Sequence, residues 1–178
     1  MLIHTTVHRA THFIDSVFFF FFDSMNYWFL KKSINLYGEA FLKSLWVKKL
    51  GFGTAENNYE EAIETLKDFW AINGIERNAL HISDGSGLSP ANRLTTHALV
   101  TVLQYAKKQN WFASFYLALP EMNGIKMKDG YIGGVRSYTG FIKSKSGTEY
   151  SFSFIVNNFD GSAAAVRTKM WKVLDLLK

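Results

Sequence analysis

Asp84-Gly85-Ser86-Gly87-Leu88-Ser89-Pro90-Ala91-Asn92 is the stretch on which the reading of this chain turns. Taken alone it is a turn-rich loop, because Asp, Gly, Ser and Pro each favour bends for separate steric or hydrogen-bonding reasons. Its Gly85-Ser86-Gly87 core does not have the Gly-x-Ser-x-Gly spacing of a nucleophile elbow. Upstream, Leu80-His81-Ile82 is a short apolar lead-in. Downstream, the spacing predicts a helix from about Thr95 to Lys108 with Leu99, Val102, Leu103 and Ala106 inward.

Further out, residues 25–50 read as helical with a polar interruption at Ser33-Ile34-Asn35. Leu36, Ala40, Phe41 and Leu45 recur there at helical spacing, and Gly51 and Gly53 are stop signals. A second helix is expected over Tyr59 to Asn73, with Asn58 as N-cap, Glu61 three residues on, and Ala62, Ile63, Leu66, Phe69 and Trp70 on its apolar face. Trp111 to Leu119 reads as a short helix or turn closed by Pro120. The last third changes to strand patterning: Ile125 to Asp129, then a hairpin of Val135 to Lys143 and Tyr150 to Asn157 turning near Lys145-Ser146-Gly147. Ser162 is placed to cap a final helix whose Val166, Met170, Val173, Leu174 and Leu177 form one stripe. Helices flanking an antiparallel sheet make the expected class α/β (α+β).

The composition excludes several alternatives. The 178 residues are 48% hydrophobic and 16% aromatic, enough to fill a core. With no cysteine there is no disulfide, thiolate nucleophile or cysteine-based metal site. Lysines and arginines (20) outnumber acids (15) for a net charge of +5, and Lys31–Lys32, Lys48–Lys49 and Lys107–Lys108 read as solvated helix ends. No nucleic-acid partner is expected, because the aromatics fall at core-periodic positions. His4, His8 and His12 stand four apart, a spacing that can hold zinc on a helix, but a basic terminus without carboxylates is the reading taken, so no metal and no cofactor are expected. Residues 1–24 differ from the rest: Phe18 to Phe22 is a homopolymer, which suggests an insertion, a misread start or a degenerate remnant. No signal peptide is expected at Met1 to Ala10, and Val17 to Phe22 is far short of the about 20 residues that span a bilayer.

Read in order, Ser33-Ile34-Asn35, then Asp84 to Asn92, then Lys128-Asp129-Gly130 followed by Gly134 to Ile142, resemble the C-terminal half of the D-alanyl-D-alanine carboxypeptidase/endopeptidase family, the class C low-molecular-mass penicillin-binding proteins. The likeness runs from about Tyr27 to Lys178. It implies a partial β-lactamase/transpeptidase-like fold over residues 25–178 and a place in the periplasm or cell envelope. It implies a serine-type carboxypeptidase whose partners are peptidoglycan stem peptides ending in D-Ala-D-Ala and, in the complete enzyme, β-lactams. That family uses Ser-x-x-Lys, Ser-x-Asn and Lys-Thr-Gly motifs. By resemblance Ser33 is a proton relay toward the leaving amine, and Asn35 holds a substrate amide and orders the catalytic lysine. Lys128 supplies fixed positive charge for the substrate carboxylate. Asp129 and Gly130 line the substrate strand, with Gly130 letting a peptide backbone approach. Asp84 to Ser89 is scaffold.

Two departures set further expectations. No Ser-x-x-Lys lies upstream of Ser33: Ser16 is followed at the third position by Phe19, and Ser24 by Tyr27. The chain is therefore expected to be a fragment without its nucleophile, inactive alone, with a non-catalytic wall-peptide or protein-binding module as the alternative. Second, Asp129 occupies the place of a hydroxyl residue. Adjacent strand side chains face opposite ways, so Arg136 rather than Lys128 is expected to pair with it. The strand Tyr150 to Asn157 is expected to leave a free edge through which copies self-associate.

Overall fold

The computed structural model describes residues 22–50 and 59–178. The expected cap at Asn58, the stops at Gly51 and Gly53, the Lys48–Lys49 side chains, the histidines His4, His8 and His12, and the chain up to residue 21 lie outside them. Residues 22–32 form α1, the break falls at 33–34, and α2 spans Asn35–Leu50. Phe22 already belongs to α1, its ring 5.2 Å from that of Phe41. Then come α3 (Tyr59–Ile72), a 3-10 turn at Arg77–Ala79, β1 (Leu80–His81), β2 (Arg93–Leu94), α4 (Thr96–Lys107), α5 (Phe112–Ala118), β3 (Glu121–Met122), β4 (Ile125–Ile132), β5 (Val135–Lys143), β6 (Glu149–Asn157) and α6 (Ala163–Asp175).

The main sheet is antiparallel in the order β3-β4-β5-β6. Opposed residues share a face of such a sheet, so the register sorts the side chains into two sets. Met127 opposite Gly140, and Tyr138 opposite Phe154, face α6. There Ile125, Met127, Tyr138 and Ile142 pack with Val166, Met170 and Leu174 of α6. Lys126 opposite Phe141, Lys128 opposite Thr139, and Gly130 opposite Ser137 face the other way. On that side Phe141 meets Leu103 of α4, Leu119, Phe112 and Phe115 of the α5 region, and Leu30 of α1. The sheet is thus sandwiched between α6 and a helical layer.

Three sequence expectations change in detail. The first main strand runs on to Ile132, because a two-residue Gly133–Gly134 turn, with Gly134 at a φ of 75°, returns the chain directly into β5. The α6 stripe is narrower than predicted: Val166, Met170 and Leu174 are buried, whereas Val173 and Leu177 are 49% and 43% exposed. An i, i+4, i+8 row suffices to cover the sheet face, and the flanking positions look out to solvent. Lys31 is not a solvated helix end; its ammonium donates to the carbonyls of Leu117 (3.5 Å) and Leu119 (3.1 Å). A cation there satisfies carbonyls that the end of α5 leaves without intrahelical partners.

Ser162 caps α6 as expected, accepting from the Ala165 amide at 3.2 Å. Because Met170 is 2% exposed in the sheet–helix core, we predict that Met170→Ala lowers unfolding free energy by about 2–5 kcal/mol, read from urea unfolding. A loss under about 1 kcal/mol would place α6 outside the cooperative core.

Candidate functional site

The loop from Asp84 to Asn92 is built around one carboxylate. Asp84 Oδ1 accepts the Gly87 amide (2.6 Å) and the Asn92 side-chain amide (2.8 Å), and Oδ2 accepts the Ser89 amide (2.6 Å). Asn92 Oδ1 in turn accepts the Ser83 amide at 2.7 Å. The two-stranded β1–β2 pairing, Leu80 with Leu94 and His81 with Arg93, closes the loop at its base. Burial pushes the Asp84 carboxyl up, but the bonds from Asn92, Ser89 and Gly87 outweigh it and hold the group below its ordinary value of 3.8.

Against this loop lies the first part of α2. A β-carbon on Gly38 would collide with the Gly85 carbonyl, and one on Gly85 with the Gly38 carbonyl, so two bare backbones meet there. Glu39 Oε1 accepts the Ser86 amide (3.0 Å), and Oε2 accepts the Tyr59 hydroxyl (2.7 Å). That hydroxyl accepts the Gly85 amide at 2.9 Å. Burial raises the Glu39 carboxyl, yet the bonds from Tyr59 and Ser86 leave it below its ordinary 4.5. Burial, then the bond to Glu39, pushes the Tyr59 phenol up to about 12. Neither residue was singled out by sequence; the only cue was Glu39 beside Gly38, just after the Ser33-Ile34-Asn35 turn.

The structure places the expected site residues on two elements. Ser33 lies in the α1–α2 break with a φ of 51°, a left-handed conformation that costs a non-glycine residue roughly 1–2 kcal/mol. Asn35 is the first residue of α2, and both side chains are exposed. Lys128, Asp129 and Gly130 lie on β4. The break and Lys128 belong to the same side of the sheet: Leu30 packs with Phe141, and Lys31 and Lys126 both donate to the Leu119 carbonyl, at 3.1 and 3.4 Å. Among the described residues no hydrogen bond joins Ser33 or Asn35 to Lys128 or Asp129. Beyond Lys126 the outer edge of β4 has no neighbouring strand among the described residues, so its later residues can accept an added one. At Gly130 a β-carbon would stand 2.6 Å from Ser137 Oγ, a contact that rotation of the serine hydroxyl would relieve.

The pairing of Asp129 corrects the expectation. Its backbone puts it on the α6 face opposite Tyr138, and Arg136 Nη2 lies 3.7 Å from Oδ2. Lys128 nevertheless comes closer, its Nζ 3.2 Å from Oδ1 and 2.8 Å from the Asp129 carbonyl. A flexible four-carbon stem can pass round the unpaired edge of β4, so alternation along the strand does not separate the two charges. Arg136 is fixed by its bond from Nε to the Tyr138 hydroxyl (3.0 Å) and by the rings of Tyr131 and Tyr138.

Residues 25–177 match the D-Ala-D-Ala carboxypeptidase 3 (S13) family. The chain is 27% identical over 156 residues to a D-alanyl-D-alanine carboxypeptidase of an Actinomadura species, an alignment that covers 76% of this chain and 28% of that protein. It also resembles two crystal structures of penicillin binding protein 4 from Haemophilus influenzae. The one complexed with a β-lactam gives a TM-score of 0.74 at 18% identity, over 87% of this chain and 41% of that one. The other gives 0.72 at 19% identity, over 87% and 39%. At those identities the likeness establishes the fold, a transpeptidase-like arrangement of helices on an antiparallel sheet. The chain spans well under half the length of the relatives it matches.

The two depressed carboxyls make the loop acid-sensitive. Each contributes stability that is complete above its unfolded value, 4.5 for Glu39 and 3.8 for Asp84, and is lost as pH falls through the lower folded value. We predict that unfolding free energy falls from about pH 4.5 downward, and that Tyr59→Phe costs about 1–3 kcal/mol at neutral pH while reducing the acid-dependent loss. Urea unfolding between pH 7 and pH 2 measures both. An unchanged acid slope in the variant would show that the Tyr59 bond does not hold Glu39 ionised.

Proposed function

The chain belongs to the D-Ala-D-Ala carboxypeptidase 3 (S13) family, and from that premise we propose that it carries part of the active site of a serine-type carboxypeptidase acting on peptidoglycan in the cell envelope. The substrate is a stem peptide ending in D-Ala-D-Ala, and β-lactams occupy the same site in the complete enzyme. The observation that carries this reading is the edge of β4, unpaired beyond Lys126 among the described residues and bearing Lys128 on the side of the sheet where the Ser33 turn is docked. An extended peptide laid along Lys128–Ile132 would be held by main-chain hydrogen bonds, as strand addition requires. Lys128 would draw its terminal carboxylate, Asn35 would take an amide, and Ser33 would pass a proton to the leaving amine.

The nucleophile is the part these residues do not supply. No Ser-x-x-Lys precedes Ser33 in the sequence, and acyl transfer needs the serine oxygen to attack the carbonyl and form the ester. We predict that these 178 residues alone take no covalent label from a fluorescent penicillin; a stoichiometric adduct mapped by mass spectrometry to any residue here would overturn this. A second reading is a non-catalytic module that binds wall peptides or a protein. Reversible binding of a D-Ala-D-Ala peptide, with no acylation even when an N-terminal segment bearing Ser-x-x-Lys is supplied, would establish it. In either reading the outer edge of β6, unpaired among the described residues, invites copies of the chain to associate.

Asp129 lowers the charge that greets a carboxylate. Lys128, Asp129 and Arg136 together carry +1, against +2 without the acid. Two negative charges about 4 Å apart repel by roughly 1–4 kcal/mol between the dielectrics of water and a protein surface. We predict that Asp129→Thr, in an enzyme reconstituted with the Ser-x-x-Lys segment, raises the penicillin acylation rate by about one to three orders of magnitude. Equal rates for variant and parent would mean that Lys128 and Arg136 already neutralise the acid fully.

A further inference from the structure

We propose that Glu39 and Tyr59 are positioning residues for Ser33, gripping the first turns of α2 against the Asp84–Asn92 loop so that the intervening turn is held in its left-handed conformation. The proposal rests on the reading of Ser33 as the proton relay, but only for its consequence in catalysis. Its physical basis is the way the chain is anchored on both sides of one strained residue.

On the N-terminal side, Lys31 donates to the carbonyls of Leu117 and Leu119, and Leu30 packs into the cluster around Phe141. On the C-terminal side, the Tyr37 amide donates to the Ile34 carbonyl at 3.0 Å and closes the first turn of α2. Gly38 then abuts Gly85, and Glu39 takes the Ser86 amide and the Tyr59 hydroxyl. Only a few residues separate the two anchors, so they have little freedom to redistribute backbone angles. A non-glycine residue at a φ of 51° persists where its surroundings over-determine it. Glu39 lies one helical turn beyond Asn35, so its grip reaches the other expected site residue along the same face.

Tyr59 is the element that ties three segments together. It is the first residue of α3; its ring packs with the Leu42, Ala62 and Ile63 cluster, and its hydroxyl both donates to Glu39 and accepts from Gly85. Phenylalanine would keep the packing and remove only the bridge. Alanine at Gly38 or Gly85 would test the same contact but forces backbones apart and can abolish folding.

The test is NMR of the chain itself, following the Ser33 three-bond amide–α coupling and α- and β-carbon shifts, which report the sign of φ, together with amide exchange. In Tyr59→Phe and Glu39→Ala, the Ser33 signature should move toward an average with right-handed or extended backbone. The Ser86 amide in Glu39→Ala, the Gly85 amide in Tyr59→Phe and the Tyr37 amide in both should exchange roughly tenfold faster, as loss of the hydrogen bonds that grip this segment implies. Amides of β5 should not change. Glu39→Gln keeps an acceptor for Ser86 and should restore most of the Ser33 signature. Val166→Ala in α6 lowers stability elsewhere and should leave it untouched. Retention of the left-handed signature in both Tyr59→Phe and Glu39→Ala, or an equal shift in Val166→Ala, would overturn the proposal. The catalytic reading fails separately: unchanged penicillin acylation by Ser33→Ala in the reconstituted enzyme would sink it and leave the NMR result standing.

Discussion

The contact between the bare backbones of Gly38 and Gly85, with Glu39 and Tyr59 bonded across it, is the constraint from which the helical half takes its arrangement. Backbones meet this closely only where neither residue carries a β-carbon, and they stay together only where the exposed amides find acceptors. Asp84 and Asn92 first consume the loop's own polar groups, which makes it a firm platform. The remaining amides of Gly85 and Ser86 then point at α2 and α3, and Tyr59 and Glu39 answer them. Burial works against the ionised carboxylates, but each accepts enough hydrogen bonds to remain charged.

The sheet imposes a second order on the site. Alternation sends Lys126, Lys128 and Gly130 to the helical layer and Met127, Asp129 and Tyr138 toward α6. On β6 the helical-layer face carries Ser151 and Ser153, opposite Phe141 and Thr139, while Phe152, Phe154 and Val156 pack toward α6. Small serines let α4 pack directly on β6, and the Lys107–Glu149 pair at 3.0 Å closes the contact at its rim. Exposed pairs of this kind contribute about 0–1 kcal/mol, so apolar burial around Phe141 is the greater stabilising effect.

Much of this was legible because it is periodic or local. Leu103 and Ala106, or Val166, Met170 and Leu174, announce their faces through spacing, and Ser162 announces its helix through a cap only three residues from the amide it accepts. The Asp84 loop was legible as a turn-rich loop, since its acid, glycines, serines and proline each favour bends. The clamp was not, because Tyr59 lies 20 residues from Glu39 and 26 from Gly85, and nothing local marks a tyrosine as a bridge rather than a core ring. The closeness of Lys128 to Asp129 was hidden for a different reason. Alternation governs where a β-carbon points, but a long side chain at an unpaired edge is free to turn back.

That freedom bears on how the acid on β4 is accommodated. Arg136 has a side chain only 12% exposed, held by the Tyr138 hydroxyl and flanked by two aromatic rings. It therefore stays opposite Asp129 whatever Lys128 does. The Lys128 side chain is 27% exposed and lies against Asp129, with no ring or second carboxylate among the described residues to trap it. A carboxylate arriving along the edge of β4 would compete with Asp129 for that ammonium, and Arg136 would go on compensating the acid left behind. The exchange replaces one ion pair by another, and because Arg136 still faces the acid, Asp129 is not left as an unpaired charge.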